Sequence, residues 1–161
     1  FYAAIINGTA GDGEALAEDF KNYTGDTDKY HEYTIDNSMY LMKDQEDYQM
    51  VMKLSTIIGA QQVDVLIAPE YKFQEYVEQD GFYLTKPSMV LLEQIQTVNK
   101  DDLTEYGLHV GDSKVLQSFG VDEDSYMGVL VYSDHLDEAK SFITYIMGDG
   151  NTPDENEGGQ K

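Results

Sequence analysis

The chain contains no cysteine, and all ten of its basic residues are lysines. Without thiols there is no disulfide framework, no thiolate nucleophile and no cysteine-based zinc site. Histidine is sparse. His31, His109 and His135 are scattered, with no pair at helical ligand spacing and no His-Glu-x-x-His, so each is read as a surface or strand residue. No metal and no cofactor are expected. No apolar run approaches the roughly 18 residues of a membrane span, and no signal peptide with a basic start is present. Positive charge is the other shortage: 10 lysines face 31 acidic residues, for a net charge of -21. Such a surface repels a phosphate backbone and an anionic membrane face, so nucleic acid is not expected as a partner.

What is present is enough for a core. At 161 residues and 41% hydrophobic content, the composition fits one domain, residues 1–148, followed by a disordered acidic tail, 149–161, that has no large apolar residue. The chain opens without Met, directly on the apolar run Phe1-Tyr2-Ala3-Ala4-Ile5-Ile6. The expectation is a segment upstream of Phe1, a signal peptide or an anchor helix. A chain free of cysteine also suits an exported bacterial protein.

Strand-like and helix-like patterns alternate through the first eighty residues. Phe1 to Asn7 reads as a strand, and the glycine-rich turn Gly8 to Gly13 leads into a helix with Leu16, Phe20 and Tyr23 on one face and Gly25 as its stop. Tyr30 to Ile35 alternates without a clean apolar face, which predicts an edge strand. Asp44 is the expected cap of a helix whose inner face carries Tyr48, Val51, Met52, Ser55 and Ile58. Val63 to Ala68 is apolar apart from Asp64 and predicts a central parallel strand; the helix after it carries Phe73, Tyr76 and Val77 and ends at Gly81. Between Phe82 and Gly120 the expected pieces are short helices at Met89 to Ile95, Asp101 to Tyr106 and Ser113 to Phe119. Tyr126 to Tyr132 predicts a strand, and Ser133 or Asp134 a cap for a last helix that buries Ala139, Phe142, Ile143 and Ile146 and stops at Gly148. This order predicts an α/β three-layer sandwich with a mostly parallel sheet and helices on both faces.

Motifs for chemistry are weak. The Gly8 to Gly13 turn has no lysine after its glycines and places Asp12 where a phosphate would come closest, so a tight turn is the better reading. The acidic clusters at Asp26 to Asp28, Asp122 to Asp124 and Asp149 to Asp154 lack the alternating ligands, sixth-position glycine and twelfth-position glutamate of a calcium loop, and are read as solvated turns. Ser133-Asp134-His135 holds the residue types of a catalytic triad, but as neighbours rather than converging from separate segments. Tyr71, Tyr83, Tyr126 and Tyr132 fall near strand ends, where aromatics suit sugars or peptides, although half-buried tyrosine is ordinary. No enzyme activity is expected.

The order of segments carries more information. The strand and turn from Ile5 to Gly13, the helix ending Ala17-Glu18-Asp19-Phe20, Met52 through Gly59 leading to Val63-Asp64-Val65-Leu66-Ile67, and Phe73 through Gly81-Phe82-Tyr83-Leu84 together resemble the first lobe of extracellular solute-binding proteins of the periplasmic-binding type II fold. Tyr106-Gly107-Leu108, Tyr126 to Ser133 and Asp137 to Ile146 are similar to the return strand and following helix of that family. The matching pieces cover about two-thirds of the chain, and about 40 residues between Tyr83 and Tyr126 stand where the family has a second lobe. The resemblance therefore implies one lobe, with an antiparallel return strand.

Ligands of open α/β sheets gather at the carboxyl ends of the parallel strands. The expected binding residues are Asn7, Thr9 and Asp12 after the first strand, Asn37 and Ser38 after the second, and Pro69, Glu70 and Tyr71 after the third. The antiparallel return strand implied by the resemblance adds Ser125 and Tyr126. The expected function is an extracytoplasmic, non-catalytic binding domain for a small molecule or peptide, anchored to the cell surface. The alternative is a protein-interaction or structural module that kept the fold without a ligand and meets a membrane or cell-surface protein.

Overall fold

In a computed structural model, which describes residues 1–78 and 107–148, the chain is an α/β domain built on one five-stranded sheet. The elements are β1 (Tyr2–Ile5), α1 (Gly13–Thr24), β2 (Thr34–Asp36), α2 (Tyr48–Gly59), β3 (Val65–Pro69), α3 (Glu70–Glu78), β4 (Leu108–His109), α4 (Lys114–Gln117), β5 (Ser125–Val129) and α5 (Leu136–Met147). The strand order is β2-β1-β3-β5-β4. β1 pairs in parallel with β2 and β3, while β5 runs antiparallel to both β3 and β4. One strand thus runs against the other four, as expected for the return strand. The helices expected within 82–106 and the tail 149–161 lie outside the described residues.

The strands divide their side chains between two cores, with the period of two that a pleated strand imposes. Ala3, Ile5, Val65, Ile67 and Met127 face α1 and α5, where they meet Leu16, Phe20, Phe142 and Ile146. Ala4, Ile6, Leu66 and Ala68 face the other way, against Met39, Leu41, Leu54 and Phe73. The first layer is closed by rings: Phe20 lies 5.0 Å from Phe142 and 5.3 Å from Tyr145, centroid to centroid. Tyr145 carries its hydroxyl out to Asp19, so its ring is buried without an orphaned donor.

Several local expectations hold for identifiable reasons. Gly25 ends α1 in the left-handed conformation, as expected, and Asp12 caps its start by accepting from the Ala15 amide at 3.1 Å. The glycine turn is explained by packing: a Cβ on Gly11 would lie 2.4 Å from the Phe119 ring, and one on Gly13 2.4 Å from the Ile35 carbonyl oxygen. Close approach of neighbouring segments, rather than a phosphate, accounts for these two glycines.

Other expectations are corrected. β2 is an edge strand, but it spans only Thr34–Asp36. The Asp26 side chain accepts from the Asp28 amide, and the Asp28 side chain accepts from the Tyr30 amide, so local turn bonds take the amides a longer ladder would need. α2 is capped by Asp47, not Asp44. Its inner face is also rotated from the expected one. Leu54 is its buried residue, flanked by Val51 and Ile58, whereas Tyr48 is 75% and Met52 46% exposed. The helix is apolar on more than one side, so two stripes satisfied the same spacing. α5 begins after His135 with no side-chain cap, because Ser133 and His135 are engaged elsewhere.

Candidate functional site

The parallel strands end on a polar junction built around Asn7. β1 gives way to a left-handed backbone at Asn7, φ 63°, a conformation that asparagine tolerates better than most residues. The turn buries its amide. Asn7 Oδ1 accepts from the Leu41 amide at 2.7 Å, while Nδ2 approaches the Leu41 carbonyl at 3.2 Å, the Tyr71 hydroxyl at 3.2 Å and Asp122 Oδ2 at 3.0 Å. Two hydrogens serve three acceptors, so the bonds are shared. One side chain thereby ties together the segments following β1 and β2, the start of α3 and the segment before β5.

Tyr71 completes the junction by donating its hydroxyl to the Leu41 carbonyl. Burial pushes the Tyr71 hydroxyl above its ordinary pKa, and the charges of Asp122 and Asp124 push it the same way against the Asn7 hydrogen bond. It is a neutral hydrogen-bonding group at ordinary pH.

Above this junction lies an open hollow of about 600 Å³. Its walls include Asn7, Tyr40, Lys43, Tyr71 and the acidic run Asp122-Glu123-Asp124. The acids arrive there because β5 is antiparallel: Pro69 at the end of β3 pairs with Ser125 at the start of β5, and the Glu70 amide donates to the Asp124 carbonyl at 3.1 Å. The residues leading into an antiparallel strand thus stand at the carboxyl ends of its neighbours. Three carboxylates face one lysine, which gives the hollow a negative field suited to an amine or another cation.

A second hollow, also about 600 Å³, lies beside it between the start of α1 and the end of β2. Asp12, Asn37, Ser38 and Lys53 line it. Asn37 Nδ2 donates to the carbonyls of Gly8 at 2.9 Å and Gly11 at 2.8 Å, fixing the glycine turn. Asp36 beneath them is partly buried, which alone would raise its pKa. Hydrogen bonds from the Ser38 side chain and amide, Tyr2 and Lys53 win and hold it at about 2.

Compared with protein-family models, curated proteins and solved structures, the chain matches none. What it does must therefore be argued from its own geometry.

The expected binding residues fall into three groups. Asn7 and Tyr71 line the first hollow; Asp12, Asn37 and Ser38 line the second. The remainder line neither. Thr9 is exposed, Pro69 and Ser125 are buried in the sheet pairing, and Tyr126 packs its ring 5.9 Å from Phe73. Glu70 contributes its backbone amide to the Asp124 carbonyl, with its side chain exposed. Tyr40, Lys43 and Asp122 to Asp124 were not anticipated. The signal for the acids was available in principle, since an antiparallel return strand carries its preceding residues to this rim.

At the opposite end of the sheet, just before β3, the buried Asp64 gathers donors from distant parts of the chain. Its Oδ2 accepts from the Tyr2 amide at 2.9 Å, and its Oδ1 from the Ser133 hydroxyl at 2.7 Å. His135 Nδ1 lies 3.0 and 3.1 Å from its two oxygens. Serine, histidine and aspartate meet here in an order that does not make a triad: the serine proton points at the carboxylate rather than at the imidazole.

Lys72 is the other buried charge among the described residues, with its ammonium between Glu46 and Glu75. Burial pushes its pKa down, but the two carboxylates outweigh that and raise it. It stays charged and holds α3 to the segment before α2.

Proposed function

We propose that the chain is a non-catalytic binding domain that takes a small molecule or peptide at the carboxyl ends of its parallel strands. The observation that supports this reading is the hollow over the Asn7–Tyr71 junction, where a rigid hydrogen-bonded floor carries exposed aromatic and acidic side chains. A floor tied to several segments is preorganised, which lowers the ordering cost of binding. The acidic wall favours ligands with a positive group. The parallel-sheet topology and antiparallel β5 are compatible with one lobe of a type II solute-binding protein, and the reading keeps an extracytoplasmic, surface-anchored location with that resemblance.

The alternative, an interaction module without a small ligand, draws on a different observation: Tyr40, Met42, Tyr48 and Met52 are all exposed within one short stretch. Tyr48 and Met52 share a face of α2 at a spacing of four residues, and exposed apolar side chains on one face favour a protein partner.

A thermal-shift screen against amines, amino acids, basic peptides and sugars separates the two, because a ligand that binds only the folded state raises the melting temperature. The receptor reading expects a saturable shift that Tyr40→Ala and Asp124→Asn remove. No shift at millimolar ligand would sink it and leave the interaction module.

A further inference from the structure

The Asp64 cluster does more than satisfy a buried carboxylate. We infer that Asp64, Asp134 and His135 form a binding site for a divalent first-row metal of the zinc type. One ligand atom from each of the three residues lies within 4.8 Å of the others, and His135 Nδ1 is the centre of the group, 3.0 and 3.1 Å from the Asp64 oxygens and 3.3 Å from Asp134 Oδ1. Two ligands bonded tetrahedrally to zinc at about 2.0 Å stand about 3.3 Å apart, so both histidine–carboxylate spacings fit, and the exposed Asp134 side chain is the ligand free to adjust.

The outer partners aim the carboxylate. Each Asp64 oxygen spends one acceptor position on a protein donor, the Tyr2 amide or the Ser133 hydroxyl, and has the His135 nitrogen on its other side. Such second contacts fix ligand orientation in metal sites. Nδ1 faces two carboxylates, an arrangement that either a hydrogen or a metal ion on that nitrogen satisfies. When the metal takes the Nδ1 lone pair, the displaced proton moves to Nε2 or to solvent. Two carboxylates and a neutral imidazole also balance a divalent charge.

The other two histidines show what is particular here. His31 offers its two nitrogens to different carboxylates, Nδ1 to Asp26 and Nε2 to Asp28. His109 Nε2 meets the Glu123 carbonyl at 2.7 Å, and its Nδ1 is 3.7 Å from Asp112. Among the described residues, only His135 has two different carboxylates converging on one nitrogen. The site also has an entrance, because the Asp134 side chain is 90% and the His135 side chain 45% exposed while Asp64 is buried. Waters complete the coordination from that side. One nitrogen with few oxygens favours zinc, cobalt or nickel over calcium, which takes about six to eight oxygen ligands.

The test is titration of the chelator-treated chain with zinc and cobalt chloride, followed by calorimetry and by the visible absorption of bound cobalt, with calcium chloride as control. One equivalent should bind saturably. His135→Ala should abolish the cobalt spectrum, Asp134→Asn should weaken binding, and Ser133→Ala should weaken it about 10- to 100-fold through the carboxylate it orients. Circular dichroism of each variant confirms that the chain remains folded; the exposed His135 ring makes that variant informative where an Asp64 variant would not be. Undiminished binding in His135→Ala, an equal isotherm with calcium, or no saturation at millimolar metal would each overturn the assignment.

Discussion

The two ends of the sheet handle buried polarity differently. At the amino end, Asp64 is a buried acceptor surrounded by donors drawn from residues 2, 133 and 135. At the carboxyl end, Asn7 is a buried amide that reaches Leu41, Tyr71 and Asp122, and the outer surface of that junction is an open acidic hollow. The first gathers its partners around one buried charge and opens to solvent only on the Asp134 and His135 side. The second spends a neutral side chain on holding loops and leaves charged groups facing solvent. The difference teaches that a buried polar residue can gather partners around its own charge or hold loops beneath an open hollow, and its neighbours decide which.

Breaking the amino end should have the largest effect. Asp64→Ala strands the Tyr2 amide and the Ser133 hydroxyl in a buried setting and is expected to cost about 3 kcal/mol, measured by urea unfolding. A loss no larger than that of a typical surface substitution would show that the Asp64 hydrogen bonds add nothing to stability.

Next comes the floor of the hollow. Asn7→Ala removes the shared hydrogen bonds and leaves at positive φ a residue that tolerates it less well than asparagine, for an expected loss of about 2–3 kcal/mol. Asn7→Gly should recover about 1 kcal/mol of that, since glycine accepts the backbone but not the bonds. Equal losses would mean that the backbone conformation carries no strain.

Asp36 sharpens the comparison through pH. Its folded pKa of about 2 lies below the ordinary 3.8, so its stabilisation is present above the unfolded value and is lost as pH falls from about 4 to 2. The depression corresponds to about 2 kcal/mol, which Asp36→Asn should remove from the acid limb of a stability–pH curve. An unchanged acid limb in that variant would assign the transition to other carboxylates.

The smallest effect on stability belongs to the exposed wall. Asp124→Asn should change stability by less than about 0.5 kcal/mol while removing any amine-dependent thermal shift. A large stability loss would move Asp124 from the site into the scaffold.

Much of the architecture was readable because it depends on local pattern. The strand–helix alternation, the Gly25 stop and the inward residues of α5 follow from periodicity and turn chemistry, and the central strand follows from the apolar run Val63 to Ala68, which the structure sets at Val65–Pro69. The inner face of α2 was not readable, because an apolar helix offers more than one stripe and only contact with Leu66 and its neighbours selects Leu54. The short strand β4 was missed, since two residues, Leu108 and His109, carry no period. The site was half readable. Asn7 and Tyr71 follow from strand ends, but the acids of the rim depend on the direction of β5.

The sequence by itself determined a chain of strong negative charge, free of thiols, whose alternating segments specify an α/β sandwich. Hydrophobic period and turn residues act over a few neighbours, so they can be read in one dimension. Tertiary structure alone decided what Asp64 and Asp122 do. Asp64 lies 71 residues before His135, and Asp122 lies 115 residues after Asn7. Hydrogen bonds act over about 3 Å, and only the packed sheet brings such partners within that range.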